Sequence, residues 1–239
     1  MHINKCAGRT VCKWMTAHHI DHIHDSPYSS GSSVAPDGCS HQPIYHSEEM
    51  EEDVFYFTTV RHPYDRLYSA YLQWSDFSDS AAQVQTGNKW FNSPWDVASD
   101  EAFNDFVHAL YQEKDSDTKQ FAERFLLESV IDQFKDASER ISPIKRLMFK
   151  PCADWFDTSS RIVWFHVENL QQLQYFFADP EYGKLKPLPD IAHQLTGNYR
   201  HKYTVTHKGH DYKQHYNQRS LEIVRELYDK DFKAFGYNK

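Results

Sequence analysis

The sequence predicts an α/β fold in which a mostly parallel sheet carries helices on both faces. Three observations lead there. Residues 2–13 read as a strand end, a tight basic turn and a helix start. Residues 53–71 repeat that order, with a β-branched and aromatic run followed by Arg61, His62 and a helix opened by Pro63. A third apolar run, 161–167, is again followed by a helical pattern at 169–177. Alternation of strand, turn and helix implies parallel strands, whose carboxyl ends share one edge and hold the ligands of such folds.

Each element has its own signal. Residues 8–19 read as a helix, and about 26–45, rich in Ser, Gly and Pro, as a loop. The run 53–60 has few polar breaks, as a strand buried on both faces requires. Pro63 suits the first helical turn, where its missing N–H has no intrahelical role. Tyr64, Leu67, Tyr68 and Tyr71 then recur at helical spacing. Residues 75–100, with Trp90 and Trp95 among Ser, Asp, Asn and Gln, form a surface excursion of the kind that serves as a lid or substrate wall. Helical periodicity returns at 101–112 and 118–136, and 179–215 is loop-like, with Pro, Gly and several His. Residues 217–235 close the chain as one amphipathic helix with Leu221, Val224, Leu227, Tyr228 and Phe232 on one side. There is no internal repeat, and 1–239 reads as a single domain.

Composition narrows the function classes. A chain of 239 residues is long enough for one well-buried α/β domain. Its net charge of −8 offers no basic field for nucleic acid. A small polyanion is a different matter, because screening over about 8 Å lets Lys5, Arg9, Lys13, Arg61 and Arg66 outweigh distant carboxylates. No run approaches the roughly 20 apolar residues that span a bilayer, and the start lacks the apolar stretch of a signal peptide. The expectation is a soluble chain without an integral membrane segment. Cys6, Cys12, Cys39 and Cys152 match no zinc or disulfide spacing, which favours thiols in a reducing compartment and hence the cytoplasm. The His18, His19, Asp21, His22, His24 cluster has an i, i+4 pair but not the form of a zinc protease helix, and it reads as a solvated helix end rather than a metal site.

The two basic turns are the candidate site. Backbone N–H groups at a helix N-terminus lack intrahelical partners and carry about half a positive charge, so each turn can hold a phosphate or sulfate. In the Walker A loop the Lys follows the last Gly. Here Lys5 precedes Gly8 and Thr10 lies on the helix side, so the Lys reaches over the turn from the strand end.

That order, with His2, Ile3, Lys5, Ala7, Gly8 and Thr10, resembles the 5′-phosphosulfate loop of the sulfotransferases that use PAPS (3′-phosphoadenosine 5′-phosphosulfate), especially the carbohydrate type. Asn4, Cys6 and Arg9 depart from the family's usual Pro, Thr and Thr. From Phe57 to Tyr71 the chain is similar to the family's 3′-phosphate motif. Residues 228–237 look like its closing helix, and Val167-Glu168-Asn169-Leu170 like a strand end before a helix. The resemblance implies a P-loop-like three-layer fold and transfer of a sulfuryl group from PAPS to a hydroxyl acceptor, a carbohydrate by family type, without a metal. Relatives of this type with an N-terminal anchor reside in the Golgi.

The resemblance also implies roles. Lys5 would stabilise charge on the transferring group. Cys6, Ala7, Gly8, Arg9 and Thr10 would cradle the 5′-phosphate, with Cys6 serving as a small residue in place of Thr. Arg61 and Ser69 map onto the 3′-phosphate ligands. His46, in Tyr45-His46-Ser47-Glu48-Glu49, looks like the acceptor-side base, with Glu48 and His41 in reserve and His62 a filler. Trp74, Trp90 and Trp95 could stack on sugar rings or belong to the core. A non-catalytic relative that keeps the nucleotide fold is the alternative. A nucleotide kinase fits less well, lacking the Lys after the Gly and a carboxylate for Mg²⁺.

Overall fold

The computed structural model of the protein describes residues 6, 11, 15, 55–75, 99–116, 124–125, 149–156, 161–178 and 212–239. The expected loop at 26–45, the expected loop at 179–215 as far as residue 211, the excursion beyond residue 75 up to 98, and most of the 8–19 and 118–136 helices lie outside these residues. The chain divides into two compact units, Met1–His62 with Cys152–Tyr199, and Pro63–Pro151 with Arg200–Lys239. No helix among the described residues is long and apolar enough to cross a membrane.

The first unit contains a parallel pair of strands, β1 (Phe57–Val60) and β2 (Val163–His166), in the register Phe57↔Val163, Thr58↔Trp164, Thr59↔Phe165 and Val60↔His166. Of the expected strands at 53–60 and 161–167 the ladder holds 57–60 and 163–166, and residues 53–54 lie outside the described residues. At the amino end Val163 N–H still donates to the Tyr56 carbonyl at 3.0 Å. At the other end Val167 already belongs to a 3-10 turn, Val167–Asn169, before helix α3 (Gln171–Ala178).

Side chains alternate across the pair, as strand geometry requires. On one face Phe57 meets Phe165 and Phe177 edge-on, with ring centroids 6.1 and 5.5 Å apart. Val11 and Met15, helical and four residues apart, complete this cluster with Phe165, Leu170 and Leu173. On the other face Trp164 meets Phe156.

The second unit is helical where described: α1 (Pro63–Ser75), α2 (Asp100–Gln112), a 3-10 turn at Tyr212–His215, α4 (Gln218–Leu227) and α5 (Asp229–Ala234). The α1 stripe expected from sequence is buried, and its tyrosines meet Phe103, Phe106, Tyr216 and Phe232 at centroid distances of 4.9 to 5.6 Å. Aromatic pairs at this spacing add about 0.5–1.5 kcal/mol beyond their burial.

Caps set the helix ends. Ser99 Oγ accepts from Ala102 N–H at the start of α2, and Asn217 Oδ1 from Ser220 N–H at the start of α4. Gly236, at φ +68°, follows α5 in the left-handed conformation that glycine adopts without a Cβ penalty.

The single closing helix expected at 217–235 is in fact two. Tyr228 departs from helical geometry at φ −114°, ψ 23°, and its hydroxyl donates to the Phe149 carbonyl at 2.8 Å. The chain restarts at Asp229, whose carboxylate takes Lys233 and Lys239 at 2.5 Å each and is held below the usual range by those hydrogen bonds.

Asn104 links three elements. Its amide nitrogen donates to the carbonyls of Asp100 and His215 at 2.6 and 2.8 Å, and its oxygen accepts from Asn217 N–H at 2.8 Å. His215 in turn stacks on Tyr68 at 4.2 Å and reaches Asp100 Oδ1 through Nδ1 at 2.8 Å. Replacing Asn104 with Ala removes all three bonds at a buried position, and we expect a loss of about 2–4 kcal/mol in urea unfolding. A change below about 0.5 kcal/mol would show that water takes over these bonds at little cost.

Candidate functional site

Parallel pairing puts the carboxyl ends of β1 and β2 at one edge, and Cys6 meets β1 near that edge. Thr59 Oγ1, on β1, donates to the carbonyl of Cys6. This bond joins residues 53 positions apart, so the turn around Cys6 and the strand leading to Arg61 are neighbours. Val11 and Met15, five and nine positions after Cys6, are helical and share a cluster with residues of β2 and α3.

Arg61 follows β1 directly and is only 5% exposed. His62 N–H donates to Glu168 Oε1 at 2.7 Å, which ties the end of β1 to the 3-10 turn that follows β2. Behind the Cys6 turn lies Cys152, the first residue of a 3-10 turn, with the two sulfurs 3.7 Å apart and both residues fully buried. Both are thiols rather than a disulfide.

Of the residues singled out in sequence, Cys6 and Arg61 belong to the first unit and are brought to the same strand. Ser69 is half-buried on α1 in the second unit, which begins at Pro63. Lys5, Ala7, Gly8, Arg9, Thr10 and His46 lie outside the described residues, as do His41, Glu48, the His18 to His24 cluster, Trp90, Trp95 and the side chain of Trp74. Among the described residues no group of three or more His, Cys, Asp and Glu is placed to hold a metal ion.

Three residues at this edge had no assigned role in the sequence reading. Thr59 is one β-branched residue among several in its strand. Glu168 was noted only as part of the Val167-Glu168-Asn169-Leu170 echo. Cys152 carries no local signal, since its neighbour Cys6 is 146 residues away.

Comparison with family models gives one whose description is "Sulfotransferase family", matching residues 1–238. Comparisons with curated proteins and with solved structures give no match.

The Thr59 hydroxyl bonds β1 to the Cys6 carbonyl directly. In Thr59→Val the side-chain volume is nearly kept while the Cys6 carbonyl loses its donor. We expect a loss of about 1–2 kcal/mol in urea unfolding, and a variant as stable as the wild type would show that the bond contributes nothing net.

Proposed function

The chain belongs to the sulfotransferase family, and from that premise we propose that it transfers the sulfuryl group of PAPS to a hydroxyl acceptor, specifically of a carbohydrate. The observation that carries the reading is the bond between Thr59 and Cys6. It supports a site in which the 5′-phosphosulfate turn and the strand leading to Arg61 serve one bisphosphate nucleotide. The family match runs across both units, in support of reading 1–239 as one sulfotransferase domain with a P-loop-like three-layer core.

Sulfuryl transfer needs in-line positioning and charge stabilisation more than covalent help. Lys5 supplies the cation at the bridging and sulfuryl oxygens. The N–H groups of Cys6, Ala7, Gly8, Arg9 and Thr10, with the Thr10 hydroxyl, hold the 5′-phosphate. Arg61 and Ser69 hold the 3′-phosphate. Arg61 suits the task physically: its guanidinium is already largely out of water, so an anion meets it with little further desolvation. His46 takes the proton of the acceptor hydroxyl, a role worth about 10²–10⁴ in rate. No metal enters the reaction as proposed.

Two linked measurements test this. Calorimetric titration with PAP, the desulfated product, is expected to show binding far tighter than that of ATP, and Arg61→Ala is expected to weaken it about 10- to 100-fold. With labelled PAPS and a panel of glycan acceptors, Lys5→Ala is expected to lower kcat by about 10²–10³ while His46→Ala lowers it by about 10²–10⁴. Failure of PAP to bind would sink the nucleotide assignment. Binding without any sulfated product would sink catalysis and favour a non-catalytic relative.

A further inference from the structure

The Cys6 and Cys152 thiols are not needed for sulfuryl transfer, yet they face each other at the base of the anion turn. Their sulfurs are 3.7 Å apart, both residues are wholly buried, and they belong to the same unit although 146 positions separate them in the chain. A disulfide requires about 2.05 Å between sulfurs, so an approach of roughly 1.7 Å would close the bond. Cys6 lies in a turn and Cys152 opens a three-residue 3-10 helix, so neither is held in the β1–β2 ladder or within an α-helix.

We propose that Cys6 and Cys152 are an oxidation site: a dithiol that a low-molecular-weight disulfide, such as oxidised glutathione, converts into an intramolecular disulfide. The first step is attack by one cysteine thiolate on a glutathione sulfur, releasing one glutathione thiolate and leaving a mixed disulfide. The second cysteine thiolate then attacks the protein sulfur of that mixed disulfide, forming the Cys6–Cys152 bond and releasing the second glutathione. The two protein thiols lose two protons and two electrons in all. The electrons reduce one oxidised glutathione to two thiols.

Two physical features shape the kinetics. Burial of both sulfurs means that the first attack proceeds from a locally opened state. Once one cysteine carries glutathione, closure is unimolecular between groups already held close, which favours the internal disulfide over the mixed one. Reduced thiols regenerate the starting state by the reverse exchange.

A consequence for the site rests on the sulfuryl-transfer reading above. Cys6 stands between Lys5 and Ala7, so pulling its Sγ toward Cys152 shifts the backbone donors assigned to the 5′-phosphate. A displacement on this scale costs about tenfold or more in a site that works by positioning. The oxidised chain therefore binds PAP more weakly than the reduced one.

The experiment uses the full chain, equilibrated with graded ratios of oxidised to reduced glutathione, quenched in acid, alkylated and mapped by peptide mass spectrometry. The expected result is a Cys6–Cys152 cross-linked peptide with loss of two hydrogen masses, reversed by dithiothreitol and absent from Cys152→Ala. The proposal is overturned if both thiols stay open to alkylation after denaturing quench at ratios that oxidise an unfolded dithiol control. It is equally overturned if Cys6 is recovered only as its glutathione adduct or linked to Cys12 or Cys39. PAP titration then reads the coupling: about tenfold weaker binding after oxidation of the wild type, and none of that change in Cys152→Ala. Equal affinity in both redox states would overturn the coupling. Absence of PAP binding in the reduced chain would instead overturn the nucleotide assignment, and the peptide map answers independently of it.

Discussion

Four parallel residue pairs, Phe57–Val60 against Val163–His166, decide which parts of this chain meet. Parallel strands cannot be joined by a tight turn, since the chain must return to the starting edge before the second strand begins. Here the return contains Pro63–Pro151, one of the two segments of the second unit. The register leaves little room for alternatives. Sliding β1 by one residue would send Phe57 to the wrong face, away from Phe165 and Phe177, and would replace the Thr59 hydroxyl at Cys6 with a neighbouring side chain. The ladder thus fixes the hydrophobic cluster on one face and the polar edge at its carboxyl end in one step.

The helical unit solves a different problem, that of burying many aromatic rings with polar ends. Tyr64 donates to the Leu221 carbonyl at 3.1 Å, Tyr216 to the Tyr64 carbonyl at 2.7 Å and Tyr228 to the Phe149 carbonyl at 2.8 Å. Each hydroxyl therefore binds a main-chain acceptor on another segment, and an unsatisfied phenol in such a place would cost about 1–3 kcal/mol. Burial pushes Tyr216 well above the ordinary phenol value, so it is a protonated donor at neutral pH. Tyr64 is raised by burial too, with the Arg225 guanidinium opposing the shift. Arg66, buried on the same helix, donates to the Lys150 carbonyl at 2.7 Å. Tyrosine in place of phenylalanine turns this core into a set of directional fasteners, which is why it can join segments that no regular hydrogen-bond ladder connects.

What could be read from the sequence follows the range of the interactions involved. The β1 to α1 passage was legible because its signals are local: a β-branched run, a proline at the helix start and an aromatic stripe at helical spacing. The α2 start was legible to within one residue for the same reason, with Ser99 and Asp100 at its first turn. The break at Tyr228 was not, because Glu-Leu-Tyr-Asp-Lys favours an unbroken helix and the departure accompanies a bond to Phe149, 79 residues away. At the site, the strand end and Arg61 were legible from a motif, whereas Thr59, Glu168 and Cys152 were not. Each of the three acts through a partner at least 53 positions distant, and no spacing rule reports a contact of that kind.

The two basic turns looked alike in sequence, as two helix starts with backbone donors for an anion, but they are not equivalent. At the second turn Pro63 has no N–H, and the N–H of His62 is already given to Glu168. Two donors at the mouth of that turn are therefore absent or spent. An anion arriving there meets a nearby carboxylate as well, although one whose Oε1 is engaged by a main-chain donor. The buried guanidinium of Arg61 at the strand end is a group suited to supply the attraction. The first turn has no proline in its sequence, and Val11 and Met15, which follow it, are helical and packed in the cluster with Phe165, Leu170 and Leu173. In a chain of net charge −8 a local cation such as Arg61 still matters, because charges beyond the screening length of about 8 Å contribute little at that point.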